Sequence, residues 1–128
     1  MPLQFELSSR NLIGLQRDGR VRRVTWESGP PPRIDGYTVG INASDPASPP
    51  RHAGERHPDA DEVILIIAGR LEVHLEDDDG SEMVCEAGVG EAFVIPQGVW
   101  HRLKALEPSR FINITPGPHG EARPLPPS

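Results

Sequence analysis

The sequence predicts an all-β fold, a sandwich or barrel of short strands. Of its 128 residues, 15 are Pro and 13 are Gly, and prolines recur too often for several long helices because each one interrupts the helical hydrogen bonds. Hydrophobic residues make up 36% of the chain but aromatic residues only 5%. A core must therefore be built mainly from Val, Ile and Leu, which favour strands.

Nine segments have the composition of strands, and turn signals separate them. They lie at residues 11–15, 21–26, 34–42, 62–67, 71–76, 82–85, 91–95, 99–103 and 111–115. Asp18-Gly19, between the first two segments, is a hairpin signal. In the third segment Tyr37, Val39 and Ile41 alternate to one side, as they would in a strand.

The strand patterns are strongest in the middle of the chain. Residues 62–67 are an apolar run, and residues 71–76 alternate apolar and polar positions, as a half-buried strand does. The turn at 77–80 leads into the return strand 82–85. Cys85 lies on that return strand, so we expect a packed thiol rather than a nucleophile.

The domain organisation follows from where the strands and prolines fall. We expect N-terminal strands at 1–33 that pack on a barrel, the barrel itself at 34–115, and a Pro-rich tail at 116–128 that runs over the surface. No internal repeat and no second domain is apparent.

Charge and cysteine content narrow the classes of partner. The net charge of −6 argues against nucleic acid or an anionic membrane as partner. The single cysteine excludes an intramolecular disulfide framework. The longest apolar stretch, 63–68, is too short to span a membrane, and the first ten residues lack the order of a secretory signal. We therefore expect a cytoplasmic protein.

Five histidines are candidates for chemistry. His74 occupies a polar position of an alternating strand, so we expect it to face solvent. His52 and His119 lie in Pro/Gly-rich loops and receive no role. His57 and His101 stand among other residues that suit a site.

The first of these two clusters joins His57 to two carboxylates. Glu55 and His57 share a face if the segment is extended, because side chains at i and i+2 point the same way. Glu62 opens an apolar strand and faces the core if Ile64 and Ile66 do. A carboxylate on a buried face is costly unless it is paired or bound to a metal.

The second cluster ends at His101. A strand leads into the turn Pro96-Gln97-Gly98, and His101 is the third residue of the strand that follows. If the barrel closes, His101 can face the first cluster across the interior.

These clusters resemble the two motifs of the cupin superfamily, small β-barrels that commonly hold a divalent metal. The second motif of that family is Gly, five residues, Pro-x-Gly, two residues and His. Gly90, Pro96, Gly98 and His101 match all of these spacings. An Asn often follows four residues after the His, and here that position is Ala105.

The first cupin motif is Gly, five residues, His-x-His, three or four residues, Glu, six residues and Gly. His57, Glu62 and Gly69 match the second His, the Glu and the closing Gly. Glu55 stands where the family has its first His. The resemblance covers about residues 34–115 and extends to the small bacterial cupins labelled mannose-6-phosphate-isomerase-like, a label that reflects fold rather than activity.

The resemblance implies a jelly-roll barrel, a double-stranded β-helix with little or no helix, and a metal site formed by Glu55, His57, Glu62 and His101. Two carboxylates would make the coordination sphere of a divalent ion formally neutral. Such a site should be a weaker Lewis acid and favour Mn²⁺ or Fe²⁺, with Zn²⁺ and Ni²⁺ also compatible.

Two other arrangements of these side chains remain open. The carboxylates and imidazoles can form a buried hydrogen-bonded network in which a histidine is charged. Alternatively, Glu55 turns outward to pair with Arg56 or Arg51, which leaves three ligands.

The cavity wall and the outer surface are less well defined. Phe93, Ile95, Leu103 and Tyr37 are candidate pocket walls. Trp100 precedes His101 and should therefore face away from the site.

The last strand is ambiguous in the same way. Asn113 or Arg110 offers a polar contact if that face of the strand is inward, whereas Ile112 and Ile114 favour the opposite assignment.

Two hypotheses of function follow. In the first, a metal-centred protein binds a small polar organic ligand; if it is an enzyme, the chemistry is dioxygen activation with Fe²⁺, or carbonyl polarisation for isomerisation or decarboxylation. In the second, the barrel is a metal-free, non-catalytic binding or sensing module. Exposed strand edges near the N-terminus, and the resemblance, also favour a homodimer.

Overall fold

The computed structural model describes residues 2–127, and these residues form strands and no helix. The predicted all-β fold is confirmed. The strands are β1 (Asn11–Gln16), β2 (Val21–Thr25), β3 (Gly36–Ser44), β4 (Gly54–Arg56), β5 (Glu62–Ala68), β6 (Arg70–Glu76), β7 (Glu82–Gly88), β8 (Ala92–Ile95), β9 (His101–Ala105), β10 (Ser109–Gly117) and β11 (Glu121–Arg123). Met1 and Ser128, the end residues of the predicted arm and tail, lie outside the described residues.

The strands form two antiparallel sheets. The six-stranded sheet has the order β2-β1-β3-β10-β5-β8, and the five-stranded sheet has the order β11-β4-β9-β6-β7. Sequence neighbours are often separated within these sheets, as in a jelly roll. The longest pairing joins β3 to β10, whose partners are 65 to 81 positions apart in sequence, from Ser44↔Ser109 to Gly36↔Gly117.

The core between the sheets is mainly aliphatic. It consists of Ile64, Ile66, Leu71, Val73, Ala87, Phe93, Ile95, Ala105 and Phe111, with Leu75, Cys85 and Leu103 packed against it. Cys85 is therefore the packed thiol that its strand predicted. Phe93 and Ile95 belong to this core.

The inner face of β3 includes Thr38 and Gly40, both of which are buried. Tyr37, Val39 and Ile41 alternate to one side as predicted, but that side is the half-buried outer face. A Cβ on Gly40 would lie 2.6 Å from Leu12 Cδ2, so the absence of a side chain leaves room for that of Leu12 on β1. The inner positions of β3 thus carry small residues, and the bulky Tyr37, Val39 and Ile41 take the outer positions.

Strand pairing continues beyond the predicted barrel. β10 extends through Pro116, which is fully buried, to Gly117. Residues 121–123 then pair with β4 as β11, a strand that the proline content of the tail did not predict. This pairing holds part of the tail beside the strand that carries Glu55.

The outer face of the six-stranded sheet carries an apolar row. Consecutive cross-strand partners are Ile13, Val39, Ile114, Val63 and Val94. The first four are half-buried and Val94 is 63% exposed. Within residues 2–127, no helix is long and apolar enough to span a membrane.

Candidate metal centre

The four predicted site residues meet between the two sheets. Glu55 on β4 is the cross-strand partner of His101 at the start of β9. His57 follows β4, and Glu62 enters from the other sheet as the first residue of β5. One possible ligand atom from each residue lies within 4.8 Å of all the others. Their role as metal ligands stays a prediction.

The turn that precedes His101 is tied to the segment that carries His57. Gly98 has a φ of +76°, which favours glycine, and its N–H donates to the carbonyl of His57 at 2.8 Å. The neighbouring Gln97 donates through its backbone N–H to Asp61 Oδ1 (2.8 Å) and through its side chain to the carbonyl of Pro58 (2.6 Å). These bonds bring the two sequence motifs together.

The side chains point at one another from buried positions. The side chains of His57, Glu62 and His101 are 4%, 3% and 2% exposed, and that of Glu55 is 25% exposed. His101 Nε2 lies 3.0 Å from Glu62 Oε1 and 3.7 Å from Glu55 Oε1. His57 Nε2 lies 3.4 Å from Glu62 Oε2 and 3.5 Å from Glu55 Oε1.

Glu55 does not turn outward. The predicted alternative was a pairing with Arg56 or Arg51, but Arg56 pairs with Glu121, the Nη2–Oε2 distance being 2.9 Å. The opposite directions of Glu55 and Arg56 follow from strand alternation.

Several buried polar atoms of the cluster have no hydrogen-bond partner among the described residues. They are both ring nitrogens of His57, Nε2 of His101 and Oε1 of Glu62. The His57–Glu62 and His101–Glu62 contacts, at 3.4 and 3.0 Å, are close but are not hydrogen bonds. Buried polar atoms are nearly always bonded. This cluster of imidazole nitrogens and carboxylate oxygens therefore fits a divalent metal ion.

A backbone contact orients His101 for that role. Its Nδ1 lies 3.0 Å from the carbonyl oxygen of Val99. When Nδ1 carries the proton and donates it there, the lone pair of Nε2 is directed at the carboxylates. Metal-binding histidines generally use their second nitrogen in this way.

In the metal-free cluster, charge attraction outweighs burial. Burial favours neutral His101, but Glu55 and Glu62 raise its pKa to about 10. Burial likewise opposes the charge on His57, and the same carboxylates raise its pKa to about 8. Burial also opposes the charge on the two carboxyl groups, yet the histidines hold the pKa values of Glu55 and Glu62 below the usual range.

A chain of side-chain hydrogen bonds ends on Glu62. Asn42 Nδ2 donates to Asn113 Oδ1, Asn113 Nδ2 donates to Thr115 Oγ1, and Thr115 Oγ1 donates to Glu62 Oε2. Asn113 therefore faces inward, while Ile112 and Ile114 face outward. The sequence pattern did not identify Thr115; the only signal was its position two residues after Asn113.

A cavity of about 420 Å³ adjoins the cluster, which we call the inner cavity. Its polar lining includes Ser9, Arg33, Asn42, Arg51, His52, Glu55, Glu62, Asn113 and Thr115, and its apolar lining Leu12, Trp26, Pro30, Pro31, Ile64, Leu103, Phe111 and Ala122. Of the predicted wall residues only Leu103 lines it. A second cavity of about 660 Å³, beside the loop 44–53, also reaches Glu55 and His101.

Two histidines differ from their predicted settings. His52 was given no role, but its Nε2 lies 3.5 Å from Glu55 Oε2 and its side chain lines the inner cavity. His74 was expected to face solvent, but its side chain is only 13% exposed. Glu72, two residues earlier on β6, lies 3.4 Å from Nε2 of its ring, and Glu82 on the neighbouring β7 lies 3.9 Å from Nδ1.

Trp100 faces away from the cluster, as predicted. Its ring contacts the guanidinium groups of Arg56 and Arg123, whose Cζ atoms are 4.8 and 4.0 Å from the ring centroid. His119 pairs with Asp59 at the surface, the Nδ1–Oδ1 distance being 3.0 Å.

Solved structures similar to this chain include two oxalate decarboxylases. One is the Bacillus subtilis enzyme, described for its Mn(II) centers; it has a TM-score of 0.58 and 19% identity over 68% of this chain and 24% of that chain. The other is a Lactobacillus farciminis formate complex, with a TM-score of 0.57 and 19% identity over 68% of this chain and 26% of that chain. This chain thus spans about a quarter of each, and the likeness is one of fold.

Comparison by sequence assigns the family. No curated protein matches the chain. The family model described as "Cupin domain" matches residues 46–115, which is over half of the chain and includes all four residues of the cluster. The chain therefore belongs to the cupin family.

Proposed function

We propose that this cupin binds one divalent metal ion through Glu55, His57, Glu62 and His101, and a small polar organic ligand in the inner cavity. The observation that carries the proposal is the convergence of four ligand atoms, several of them buried and without hydrogen-bond partners. When bound, such an ion supplies Lewis acidity or, as iron, the capacity to activate dioxygen.

The donor set favours a hard divalent ion. Two carboxylates and two neutral imidazoles balance the charge of M²⁺, and carboxylate-rich sites suit Mn²⁺ and Fe²⁺, with Zn²⁺ and Ni²⁺ as competitors. The Mn(II) centers of the Bacillus subtilis oxalate decarboxylase support this preference. The narrower resemblance to mannose-6-phosphate-isomerase-like cupins stays a prediction.

Glu55 is the most versatile residue of the cluster. It is more exposed than the other three and lies between His52 and His57, within 3.5 Å of each. It serves as a ligand or, when detached, as a general base beside the bound ligand. The reaction that we propose is metal-assisted, of a dioxygenase-like or isomerase-like type.

Metal analysis of untagged protein, purified without chelator, tests the proposal. We expect about one transition metal ion per chain in the wild type and a large loss in Glu55→Ala and His101→Ala. His119→Ala, which removes a surface histidine, is the matched control and should retain the metal. Metal-free protein that resists reconstitution, with unchanged stability in the two cluster variants, would contradict the proposal. Dioxygen consumption with diketones or phenols then tests turnover.

A metal-free binding or sensing cupin is the second candidate. It is favoured by the raised pKa values of His57 and His101, because two charged imidazoles can balance Glu55 and Glu62 without an ion. The same metal analysis separates the two functions, since this candidate predicts ligand binding that chelator treatment does not change.

We also propose a homodimer that buries the apolar row on the outer face of the six-stranded sheet. Valine and isoleucine partners run across five strands of that face. Light scattering should give twice the chain mass for the wild type and the monomer mass for Val94→Glu. Val89→Glu, an equally exposed valine in a turn, is the control. A monomeric wild type would contradict this arrangement.

Two further predictions remain. The division into N-terminal strands (1–33), barrel (34–115) and tail (116–128) stays a prediction, which limited proteolysis can test through its first cleavage sites.

We propose a cytoplasmic location because Cys85 is a free, half-buried thiol, as is common in reducing compartments. Cell fractionation tests it.

A further inference from the structure

Arg33 is a half-buried cation that faces the inner cavity. Its Nη1 donates to the carbonyl of Pro32 at 3.1 Å and to Thr38 Oγ1 at 3.4 Å. Among residues 2–127, five arginines form an ion pair within 4.0 Å: Arg17, Arg56, Arg70, Arg102 and Arg123. Arg33 forms none. Burial lowers its pKa, although Glu55 and Glu62 act against this from a distance. A desolvated guanidinium, which stays charged in proteins, is thus left without a direct anionic partner.

The wall of the inner cavity that surrounds this cation is largely apolar. Leu12, Ile64, Leu103 and Phe111 line it, and Trp26 adds an aromatic surface. A volume of about 420 Å³ lies at the lower end of the range for small-molecule pockets. The wall therefore suits an aliphatic or aromatic body rather than a fully polar ligand.

The charge balance of the cavity sets the charge of the ligand. A divalent ion cancels the charges of Glu55 and Glu62, the imidazoles being neutral when they bind metal, so Arg33 leaves a net charge of +1. Arg51, which also lines the cavity, is exposed and screened by solvent. A monoanion neutralises Arg33, whereas a neutral ligand leaves the cation unpaired and a dianion adds an uncompensated negative charge.

We infer that the natural ligand is a small organic monoanion, with a carboxylate paired to Arg33 and an apolar body on the wall of Leu12, Trp26 and Phe111. The planar guanidinium matches a carboxylate in bidentate geometry. Arg33, Leu12 and Trp26 lie outside the residues 46–115 that match the cupin family. The N-terminal segment thus selects the ligand, while the motif residues hold the metal. This inference rests on the proposed function, since the metal enters the charge balance.

Titration calorimetry with the metal-loaded protein tests the pairing. The probes are benzoate and hexanoate as monoanions, benzamide as the neutral analogue of benzoate, and oxalate as a dianion. We expect one of the monoanions to bind at least tenfold more tightly than benzamide and oxalate. Arg33→Gln should weaken monoanion binding at least tenfold and leave benzamide binding unchanged, and Arg33→Lys should recover part of the loss. Arg22→Gln, on the exposed strand β2, is the matched control and should bind like the wild type.

Metal content and thermal unfolding are measured on the same samples. Arg33→Gln should keep its metal, so a loss of monoanion binding with metal retained supports the pairing. Equal binding of benzoate and benzamide, no binding of either monoanion to metal-loaded wild type, or wild-type monoanion affinity in Arg33→Gln would overturn it. A metal-free wild type would instead count against the proposed function. The monoanion affinities of the wild type and of Arg33→Gln would in that case still decide the role of Arg33.

Discussion

Thr115 Oγ1 donates a hydrogen bond of 2.7 Å to Glu62 Oε2, and both side chains are buried. The bond joins neighbouring strands of one sheet, β10 and β5. It occupies one lone pair of the carboxylate and leaves Oε1 facing His101 Nε2 at 3.0 Å. The hydroxyl can donate in this direction because its own oxygen accepts a bond from Asn113. The orientation of Glu62, a proposed metal ligand in the first motif, therefore depends on Thr115, which lies outside that motif.

Thr115→Val should lower metal affinity by about 10–100-fold, the usual effect of losing a partner that orients a ligand. The substitution keeps the shape of the side chain and removes the hydroxyl, so Glu62 is free to rotate. Competition with a fluorescent chelator measures the affinity. Thr25→Val, on exposed β2, is the control and should change nothing. Wild-type affinity in Thr115→Val would show that the other contacts of Glu62 are sufficient.

The carboxylate of Glu55 should determine which metal the site prefers. Glu55→Gln removes its charge and substitutes a weaker amide ligand, so we expect at least a tenfold loss of Mn²⁺ affinity. Glu55→His should shift the preference from Mn²⁺ toward Zn²⁺ or Ni²⁺, because a third imidazole replaces a hard oxygen ligand. Affinities for the separate ions measure both effects.

Glu107→Gln, an exposed carboxylate away from the cluster, is the control for the Glu55 variants. Identical metal preferences in the wild type and Glu55→His would mean that Glu55 does not bind the ion.

Metal binding should release protons at neutral pH. In the metal-free protein Glu55 and Glu62 raise the pKa values of His57 and His101 to about 8 and about 10, despite burial, so both rings are largely protonated at pH 7. Each must lose its proton to bind a metal. Calorimetry in buffers of different ionisation enthalpy should give close to two protons per ion at pH 7, fewer as pH rises toward 10, and an affinity that increases over the same range. Release of no protons at pH 7 would contradict the raised pKa values.

The stability of the metal-free protein should have a maximum in pH. The raised histidine pKa values contribute stability that is complete below the unfolded value of 6.5 and is lost as pH rises through about 8 and about 10. The lowered pKa values of Glu55 and Glu62 contribute stability that is present above the unfolded value of 4.5 and is lost as pH falls below it. The melting temperature should therefore be highest between about pH 4.5 and pH 6.5.

His101→Gln should flatten the alkaline side of that profile, and His119→Gln, at the surface, should leave it unchanged. A wild-type melting temperature that rises steadily from pH 7 to pH 10 would contradict the raised pKa values of His57 and His101.

The motif spacing predicted the four cluster residues because their placement is largely local. A Pro-x-Gly turn delivers His101, and strand alternation aligns Glu55 with His57. The contribution of Thr115 and Arg33 is not local, since it depends on which face of β10 is inward and on how the loop before β3 crosses the cavity. Ile112 and Ile114 favoured the wrong face of β10 because the outer face of this sheet is apolar too, so hydrophobic alternation did not distinguish inside from outside.

Trp100 should hold β11 against β4. Its ring contacts Arg56 and Arg123. Each arginine also forms an ion pair that joins two strands: Arg56 with Glu121, and Arg123 with Glu76, the latter with an Nη1–Oε2 distance of 2.6 Å. Since β11 has only three residues, few other contacts retain it. Cation–π contacts of this kind contribute roughly 0.5–2 kcal/mol each.

Trp100→Ala should therefore speed amide hydrogen exchange at residues 121–123 at least tenfold, with exchange in β6 unchanged, because local opening of β11 does not require global unfolding. Phe5→Ala is the matched control: it removes another aromatic ring with a cation–π contact, to Arg23 on β2 at 5.4 Å, and Phe5 does not line the inner cavity that Ala122 of β11 lines. Exchange at 121–123 should be the same in that variant as in the wild type. Unchanged exchange in Trp100→Ala would show that backbone pairing with β4 alone retains the strand, and equal acceleration in β6 would point to global destabilisation instead.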